Sequence, residues 1–446
     1  MISASHFVRT TLAFRRHPGA SPAELKQFQD TQLRRLVCHA YDTVPFYRKL
    51  FDRHRLHPRH IRGTVDLDLI PTVTKQELRA QLPRNVVASG LDPAQLLTAR
   101  TSGSSGEPFV VRRTWTEQSL QYFLRLRAFG SLGVRLGDRM ASVGLVRPGN
   151  PSDPKVIGRA LHATGLKQTL RIDGIQDPAA IVAQLDAYRP DVVTGMPGML
   201  CRVADHVLEQ GERKVRPRLL IVGGEVLTPV MRRRLVEGFS APVRETYASH
   251  EFPLLGWDCA RAGEFHTCDD GVILEVLHEG RPAREGERGE VVATNLHAYA
   301  MPFIRYRLGD IATRGEHHPN CSQPFSSIRS IQGRMIDYFP LPDGRVIHPY
   351  QILSSFIAGG DSWIRQYQLL QEREDRIVLR VQPAQAPGSE RLSALEQSVL
   401  SLLGPQVDFQ VQLVDDIPLE ETGKFRPSRS LVRSASHEFP VSTISV

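Results

Sequence analysis

Between residues 177 and 246, strand and helix signals alternate without a break, and this stretch constrains the fold more than any other. Asp177-Pro178 pairs an N-cap residue with a proline suited to the first helical position, which predicts a helix running to about Tyr188. Asp191–Thr194 reads as a strand, Gly198–Glu209 as a helix and Arg218–Val222 as a second strand. Thr228-Pro229 caps a third helix, and Val243–Thr246 is the next strand. Such alternation requires right-handed crossovers and a parallel sheet covered on both faces. Sites in these sheets open at the C-terminal ends of the strands. Three loops fall there: Gly195-Met196-Pro197-Gly198, Gly223-Gly224-Glu225 and Tyr247-Ala248-Ser249-His250-Glu251. Gly223-Gly224 alone fits a tight turn; its convergence with two other loops reads as pocket wall.

The flanks differ in character. Residues 22–50 read as a helix that Pro45 ends or kinks, and Thr74–Leu82 as a short second helix. Thr116–Phe129 is a further helix, with Leu120, Phe123, Leu124 and Leu126 as its apolar face, and Met140–Val146 a buried strand. Residues 264–313 change to short β-segments with turn signals, fitting a small barrel or distorted sheet. Beyond Gly333-Arg334, Tyr367–Leu370 and Arg376–Val381 suggest a hairpin, Ser389–Leu403 an amphipathic helix and Val407–Val414 a strand. The expected fold class is α/β. A large N-terminal domain over 1–333 has parallel sheets flanked by helices and a small β-barrel-like subdomain at about 255–330. A small mobile α+β lid domain follows over 334–446.

Ahead of the alternating region lies Thr101-Ser102-Gly103-Ser104-Ser105-Gly106-Glu107-Pro108, followed by the strand-like Phe109–Arg113. Glycines let a backbone approach phosphates closely, and amide and hydroxyl hydrogens supply donors. No Gly-Lys-Ser/Thr closes the loop, so it is not a Walker A sequence. Read alone, it fits a flexible linker as well as a triphosphate cradle.

Four more segments follow in order: Tyr247–Glu251, Arg305-Tyr306-Arg307-Leu308-Gly309-Asp310, Gly333-Arg334-Met335-Ile336-Asp337 and Thr422-Gly423-Lys424-Phe425-Arg426. With the Ser/Gly loop, this set resembles the adenylate-forming superfamily of acyl-CoA synthetases and adenylation domains. More narrowly, it looks like the phenylacetate–CoA ligase branch and its capsule-biosynthesis-type relatives. Tyr41–Phe51 and Ile70–Leu78 are also similar to that branch's N-terminal region.

The resemblance implies an ATP-dependent, Mg²⁺-assisted enzyme that joins an aromatic or other small carboxylic acid to AMP and passes it to CoA. An amine, a separate carrier protein or another nucleophile is the alternative acceptor, and a nonenzymatic scaffold the alternative class. Thr101, Ser102, Gly103, Ser104, Ser105 and Gly106 would cradle the phosphates. Gly223, Gly224, Glu225, Tyr247, Ala248 and Ser249 would line the nucleotide pocket, with Tyr247 against the adenine. Asp310 would bind the ribose diol and Arg307 phosphate or ribose. Glu251 would hold Mg²⁺, and Lys424 would act as a point charge on the α-phosphate or carboxylate. Arg334 opens the hinge segment. Departures from the family pattern are Ala248 for Gly, His250 for Thr, Ile336 where an acidic residue is common, and Glu107 in the phosphate loop. His250 fits packing and substrate contact equally.

The formal charge is +8, and residues 1–60 carry 11 Lys/Arg against 4 Asp/Glu. No nucleic-acid motif accompanies that charge, so a solvated helical surface, or one that docks an acidic partner, is expected. Residues 1–23 lack acids and carry Arg9, Arg15 and Arg16, the composition of a transit peptide. Without a secretory core or cleavage signal, the expected location is the cytoplasm. No apolar run approaches a membrane span. The oligomeric state is left open, with a homodimer among the options. Five cysteines in 446 residues make no disulfide framework. Cys38 and Cys201 read as buried small apolar residues. Cys259, His266, Cys268 and Cys321 form a candidate structural Zn²⁺ set, with His266 and Cys268 placed on one face of a strand. His317 and His318 are further candidate ligands, and ordinary buried or loop cysteines are the alternative reading.

Overall fold

The computed structural model describes residues 4–100, 109–144, 168–174, 176–211, 215–259, 263–316, 321, 323–334, 339–347, 349, 352, 363–418 and 425–432. The Ser/Gly loop Thr101–Pro108, Met335–Asp337, His317, His318 and Lys424 lie outside them.

Apolar alternation in the strands places a sheet at the centre. Strands β3 (Arg139–Gly144), β4 (Gln168–Asp173), β5 (Val192–Gly195), β6 (Leu219–Gly223) and β7 (Val243–Tyr247) pair in parallel in the order β4-β3-β5-β6-β7. Period-two alternation sorts their side chains between two layers. In β6, Leu219 and Ile221 join the core that holds Leu120 and Leu124 of helix Trp115–Ser131. Leu220 and Val222 point the other way, into a core with Leu200 of helix Pro197–Gln210 and Met231 and Leu235 of helix Pro229–Phe239. Each such buried Leu or Ile contributes about 1.5–3 kcal/mol of transfer free energy.

The sheet does not stop at β7. β8 (Gly256–Asp258) reverses against it, and the ladder continues antiparallel through β9 (Phe265–Thr267), β14 (Ser327–Arg334), β13 (Tyr306–Arg314), β12 (Arg288–Asn295), β10 (Val272–His278) and β11 (Arg281–Pro282). The β-rich segment is thus the antiparallel half of one 12-stranded sheet. A separate hairpin, β1 (Leu97–Arg100) with β2 (Val110–Arg113), flanks the Ser/Gly loop on both sides.

Local chemistry sets the helix boundaries. Helix Pro22–Thr43 opens on a capping box between Ser21 and Glu24 and buries Leu25, Leu33, Leu36, Val37 and Ala40. Pro45 ends it: extended Val44 separates it from a new helix, Pro45–Arg53, whose first position the proline occupies. Thr114 and Glu117 form another box at helix Trp115–Ser131. The Glu117 carboxylate also accepts the Ala300 N–H at 2.7 Å, tying that helix to the loop before β13.

Toward the C-terminus, the short pair β15 (Phe339–Pro340) and β16 (Val346–Ile347) precedes a 4-stranded sheet of order β19-β18-β17-β20. Its strands are β17 (Ile364–Arg373), β18 (Arg376–Pro383), β19 (Asp408–Leu413) and β20 (Ser428–Ser430). Helix Ser389–Leu403 packs Leu395, Val399 and Leu403 against this sheet. Among the described residues, no helix is long and apolar enough to cross a membrane.

Candidate active site

Parallel register brings three strand ends side by side. Gly195 pairs with Val222, Gly223 with Thr246, and Tyr247 with Gly256 across the reversal. The three loops expected to converge therefore do. Gly223 is required by closeness, since a Cβ there would sit 2.7 Å from the Thr246 carbonyl oxygen. Gly224 turns the chain with φ +83°, a left-handed conformation that favours glycine.

After β7, the chain makes a tight turn in which Ser249 N–H donates to the Phe252 carbonyl at 2.8 Å and Phe252 N–H donates to Ser249 Oγ at 3.1 Å. The turn buries Glu251 and leaves His250 exposed. Tyr306 Oη donates to Glu251 Oε1 at 2.9 Å, and Asn295 Nδ2 donates to the Glu251 carbonyl at 3.2 Å. Arg113, at the end of β2, donates to the His250 carbonyl. Burial pushes this guanidinium down to about 10, against the opposing charges of Glu117 and Glu251.

The facing wall is β13. Tyr247 Oη donates to Asp310 Oδ2 at 2.6 Å. Asp310 follows Gly309, whose φ is +77°, and stands opposite Arg334 of β14 at a break in register. The expected adenine, ribose and metal residues thus meet at one edge. Arg334 joins them by its backbone position. Arg307 pairs with Glu290, with Nε 2.9 Å from both carboxylate oxygens, so its guanidinium faces β12.

Just before β13, buried Arg305 adopts φ +45°, a strained conformation for a residue with a Cβ. Its Nη2 pairs with Glu275 Oε1 at 2.9 Å, and its Nη1 donates to the Ile70 carbonyl at 2.6 Å. Val73 forms a bridge with Tyr306, so the Ile70–Leu78 segment supports the strand that delivers Tyr306.

Glu225 does not simply line the pocket. Its Oε2 accepts the Gly198 N–H and its Oε1 the Phe425 N–H, each at 2.8 Å. Sequence reasoning gave no individual role to Arg113, Tyr306 or Phe425, though each stood in a segment it singled out, and it missed Asn295 altogether. Arg113 and Phe425 had a signal in standing beside the Ser/Gly loop and Lys424.

The cysteine set assembles in part. Cys259, His266 and Cys321 place their ligand atoms within 4.8 Å of one another. Cys259 Sγ lies 3.6 Å from Cys321 Sγ, well beyond a disulfide bond, and Cys321 Sγ lies 3.3 Å from His266 Nε2. Cys268 corrects the expectation: β9 ends at Thr267, and the alternation that would have put Cys268 beside His266 ends with it. Its buried thiol instead lies 3.7 Å from Asp270 Oδ1 and from Arg127 Nη2, and burial pushes its pKa up.

A parallel sheet continued by an antiparallel half, with a small α+β module at the C-terminus, is the fold of the adenylate-forming ligases. The chain is similar to phenylacetate-coenzyme A ligase from Thermus thermophilus, at 27% identity over 80% of this chain and 81% of that protein. The CapK C-terminal domain family matches residues 341–429. Among solved structures, 2-hydroxyisobutyryl-CoA ligase in its postadenylation state with R3-HIB-AMP aligns with a TM-score of 0.76 and 21% identity, covering 94% of this chain and 91% of that one. The same ligase with 2-HIB-AMP and CoA in its thioesterification state gives 0.62 at 20% identity, covering 93% and 91%.

Proposed function

We propose that this chain is an ATP-dependent ligase that activates a small carboxylic acid as its acyl-adenylate and transfers the acyl group to CoA. The observation that carries this reading is the pair of phenol–carboxylate contacts, Tyr247–Asp310 and Tyr306–Glu251, at the C-terminal edge of the parallel strands. In the first half-reaction, a carboxylate oxygen bonds to the α-phosphorus of ATP, and pyrophosphate leaves with the electrons of the broken P–O bond. In the second, the CoA sulfur bonds to the acyl carbon, AMP departs, and the thiol proton passes to solvent.

Two anions meet in the first step, so the site must neutralise charge as it develops. Asp310 accepts from the ribose hydroxyls while Tyr247 lies along the adenine. The Ser/Gly loop, held between β1 and β2, supplies donors to the phosphates. Glu251 fits Mg²⁺: it is a hard-oxygen ligand fixed by Tyr306, and this cation takes one or two carboxylates together with phosphate oxygens. Bound there, Mg²⁺ supplies positive charge to the phosphates. Lys424 supplies a second cation between carboxylate and α-phosphate, and Arg113 holds the main chain that aims His250 and Glu251.

An aromatic acid is the favoured substrate class, on the strength of the similarity to phenylacetate-coenzyme A ligase. The match of 341–429 to a CapK-type domain keeps an amine, a carrier protein or another nucleophile as the second acceptor reading. Cys259, His266 and Cys321 suit a structural Zn²⁺, as thiolate and imidazole donors that converge, Cys259 just after β8 and His266 within β9. A closed tetrahedral site takes a fourth ligand, for which the sequence offers His317 and His318.

The test is pyrophosphate release across a panel of aryl and alkyl acids, with and without CoA. Acid-dependent release with a thioester product supports the ligase. Release without a thioester turns the reading to another acceptor, and no release with any acid removes it.

A further inference from the structure

Helix Pro197–Gln210 begins without help from its own N-cap. Met196 makes no side-chain cap hydrogen bond, and Pro197 removes one donor from the first turn. The Gly198 N–H is satisfied from outside the helix by Glu225 Oε2. A carboxylate at this end of a helix is also favoured by the helix dipole. The second oxygen of the same carboxylate accepts the Phe425 N–H. That amide is the peptide bond joining Phe425 to Lys424.

The grip lies within a wider contact. Buried Phe425 and Ile417 pack into the core of Leu200, Val222 and Met231, and Val230 packs into the core of the C-terminal module. Arg234 donates to the Arg365 carbonyl, and Arg365 Nη1 lies 2.7 Å from Glu209 Oε1. Helices Pro197–Gln210 and Pro229–Phe239 are therefore the platform on which the module sits. Over 94% and 93% of its length, the chain aligns better with 2-hydroxyisobutyryl-CoA ligase in its postadenylation state than in its thioesterification state, with TM-scores of 0.76 and 0.62.

We propose that Glu225 is a positioning residue that fastens the C-terminal module in the arrangement used for adenylation, by holding the peptide bond after Lys424 against the first turn of helix Pro197–Gln210. The role rests on the ligase reading above. Two N–H donors converge on one carboxylate, one from each side of the interface. Withdrawal of the module breaks only the Phe425 half, and the Gly198 half stays to hold the carboxylate in place for re-docking. Glu225 thereby acts on the first half-reaction more than on the second.

Glu225→Gln tests this directly, because an amide has one acceptor oxygen and turns an NH₂ group toward the other N–H. Acid-dependent ATP–pyrophosphate exchange is expected to fall about tenfold, the effect of leaving one such donor unpaired. Thioester formation from supplied acyl-adenylate and CoA is expected to fall less than exchange does. Glu225→Asp, which retains both oxygens, recovers part of the exchange activity. Hydrogen exchange reads the same contact without activity: amides over 425–432 lose protection in Glu225→Gln, while those over 364–383 keep theirs. Unchanged protection over 425–432, equal loss in both half-reactions, or lost protection throughout the module would overturn the proposal. A wild-type chain inactive with every acid removes the ligase reading, and the hydrogen-exchange comparison still decides whether Glu225 fastens the module.

Discussion

Tyr247 and Asp310, 63 residues apart in sequence, meet through a 2.6 Å hydrogen bond from the phenol to the carboxylate. The bond links the last residue of the parallel half of the sheet to the β13 strand of the antiparallel half, across the site's opening. It fixes the carboxylate's orientation before nucleotide arrives. Asp310→Ala removes both the proposed ribose acceptor and this clamp, and is expected to raise the KM for ATP about 10- to 100-fold, as for loss of charge-assisted hydrogen bonds. Tyr247→Phe keeps the ring and is expected to have the smaller effect. Steady-state kinetics with varied ATP checks both; equal KM in wild type and Asp310→Ala would remove the ribose role.

Glu251 is buried, with one oxygen held by Tyr306. Glu251→Gln keeps the shape and the Tyr306 contact but loses the charge proposed to hold Mg²⁺. Adenylation is expected to slow by about 10²-fold or more, as when a charge-stabilising group is removed from a preorganised site. The Mg²⁺ concentration for half-maximal rate should rise with it. Tyr306→Phe leaves the charge in place and costs about 1.5–3 kcal/mol, as for a hydrogen bond to a charged group. Titration of rate against Mg²⁺ separates the two, and an unaltered Mg²⁺ dependence in Glu251→Gln would contradict the assignment.

Away from the site, fully buried Asp270 clasps the N-terminal segment to the sheet. Arg127 pairs with both its oxygens, and His17 Nδ1 lies 2.9 Å from Oδ2. Burial alone would raise this carboxyl, but the Arg127 charge and the hydrogen bonds from His17 and Arg127 outweigh it and hold it well below the usual carboxylate range. A depressed folded-state pKa stabilises above the unfolded value, and that contribution is lost as pH falls through the folded one. Asp270→Asn leaves Arg127 buried without its counter-charge and is expected to cost about 3–5 kcal/mol at neutral pH. The gap from wild type should shrink as pH falls below about 4, where the unfolded aspartate protonates. Denaturant unfolding at several pH values checks this, and a gap that stays constant with pH would contradict it.

The cysteines give a metal prediction with an internal control. Purified protein should carry about one zinc per chain, lost in Cys259→Ser and in Cys321→Ser. Cys268→Ser should keep it, since that thiol lies with Asp270 and Arg127. Elemental analysis decides the matter, and metal-free folded wild type would remove the site.

The parallel half was legible because its signals are local. Asp177-Pro178 and Thr228-Pro229 cap helices where they stand, and β6 reads as a continuous apolar run. Ser389–Leu403 ends where Gly388 and Gly404 flank it. What escaped was set by partners distant in sequence. Cys268 left the cluster because β9 is only 3 residues long, and its end shows only once β14 and β8 are paired with it. Arg307 turned to Glu290 on the neighbouring strand, a cross-strand choice fixed by register. β20 is polar throughout and takes strand form only by pairing with β17. The convergence of loops could be inferred from topology, whereas the bridge from Glu225 to Phe425 spans 200 residues and depends on how the C-terminal module docks.

The most direct measurement follows oxygen. Wild-type protein is incubated with ATP, Mg²⁺, CoA and an aromatic acid such as phenylacetate labelled with ¹⁸O in its carboxylate, and the nucleotide product is weighed by mass spectrometry, with Lys424→Ala run alongside. Attack of the carboxylate on the α-phosphorus places one ¹⁸O in AMP for each thioester formed, and Lys424→Ala loses both products while still binding ATP. Thioester formed with unlabelled AMP, or with ADP and labelled phosphate, would contradict activation through an acyl-adenylate.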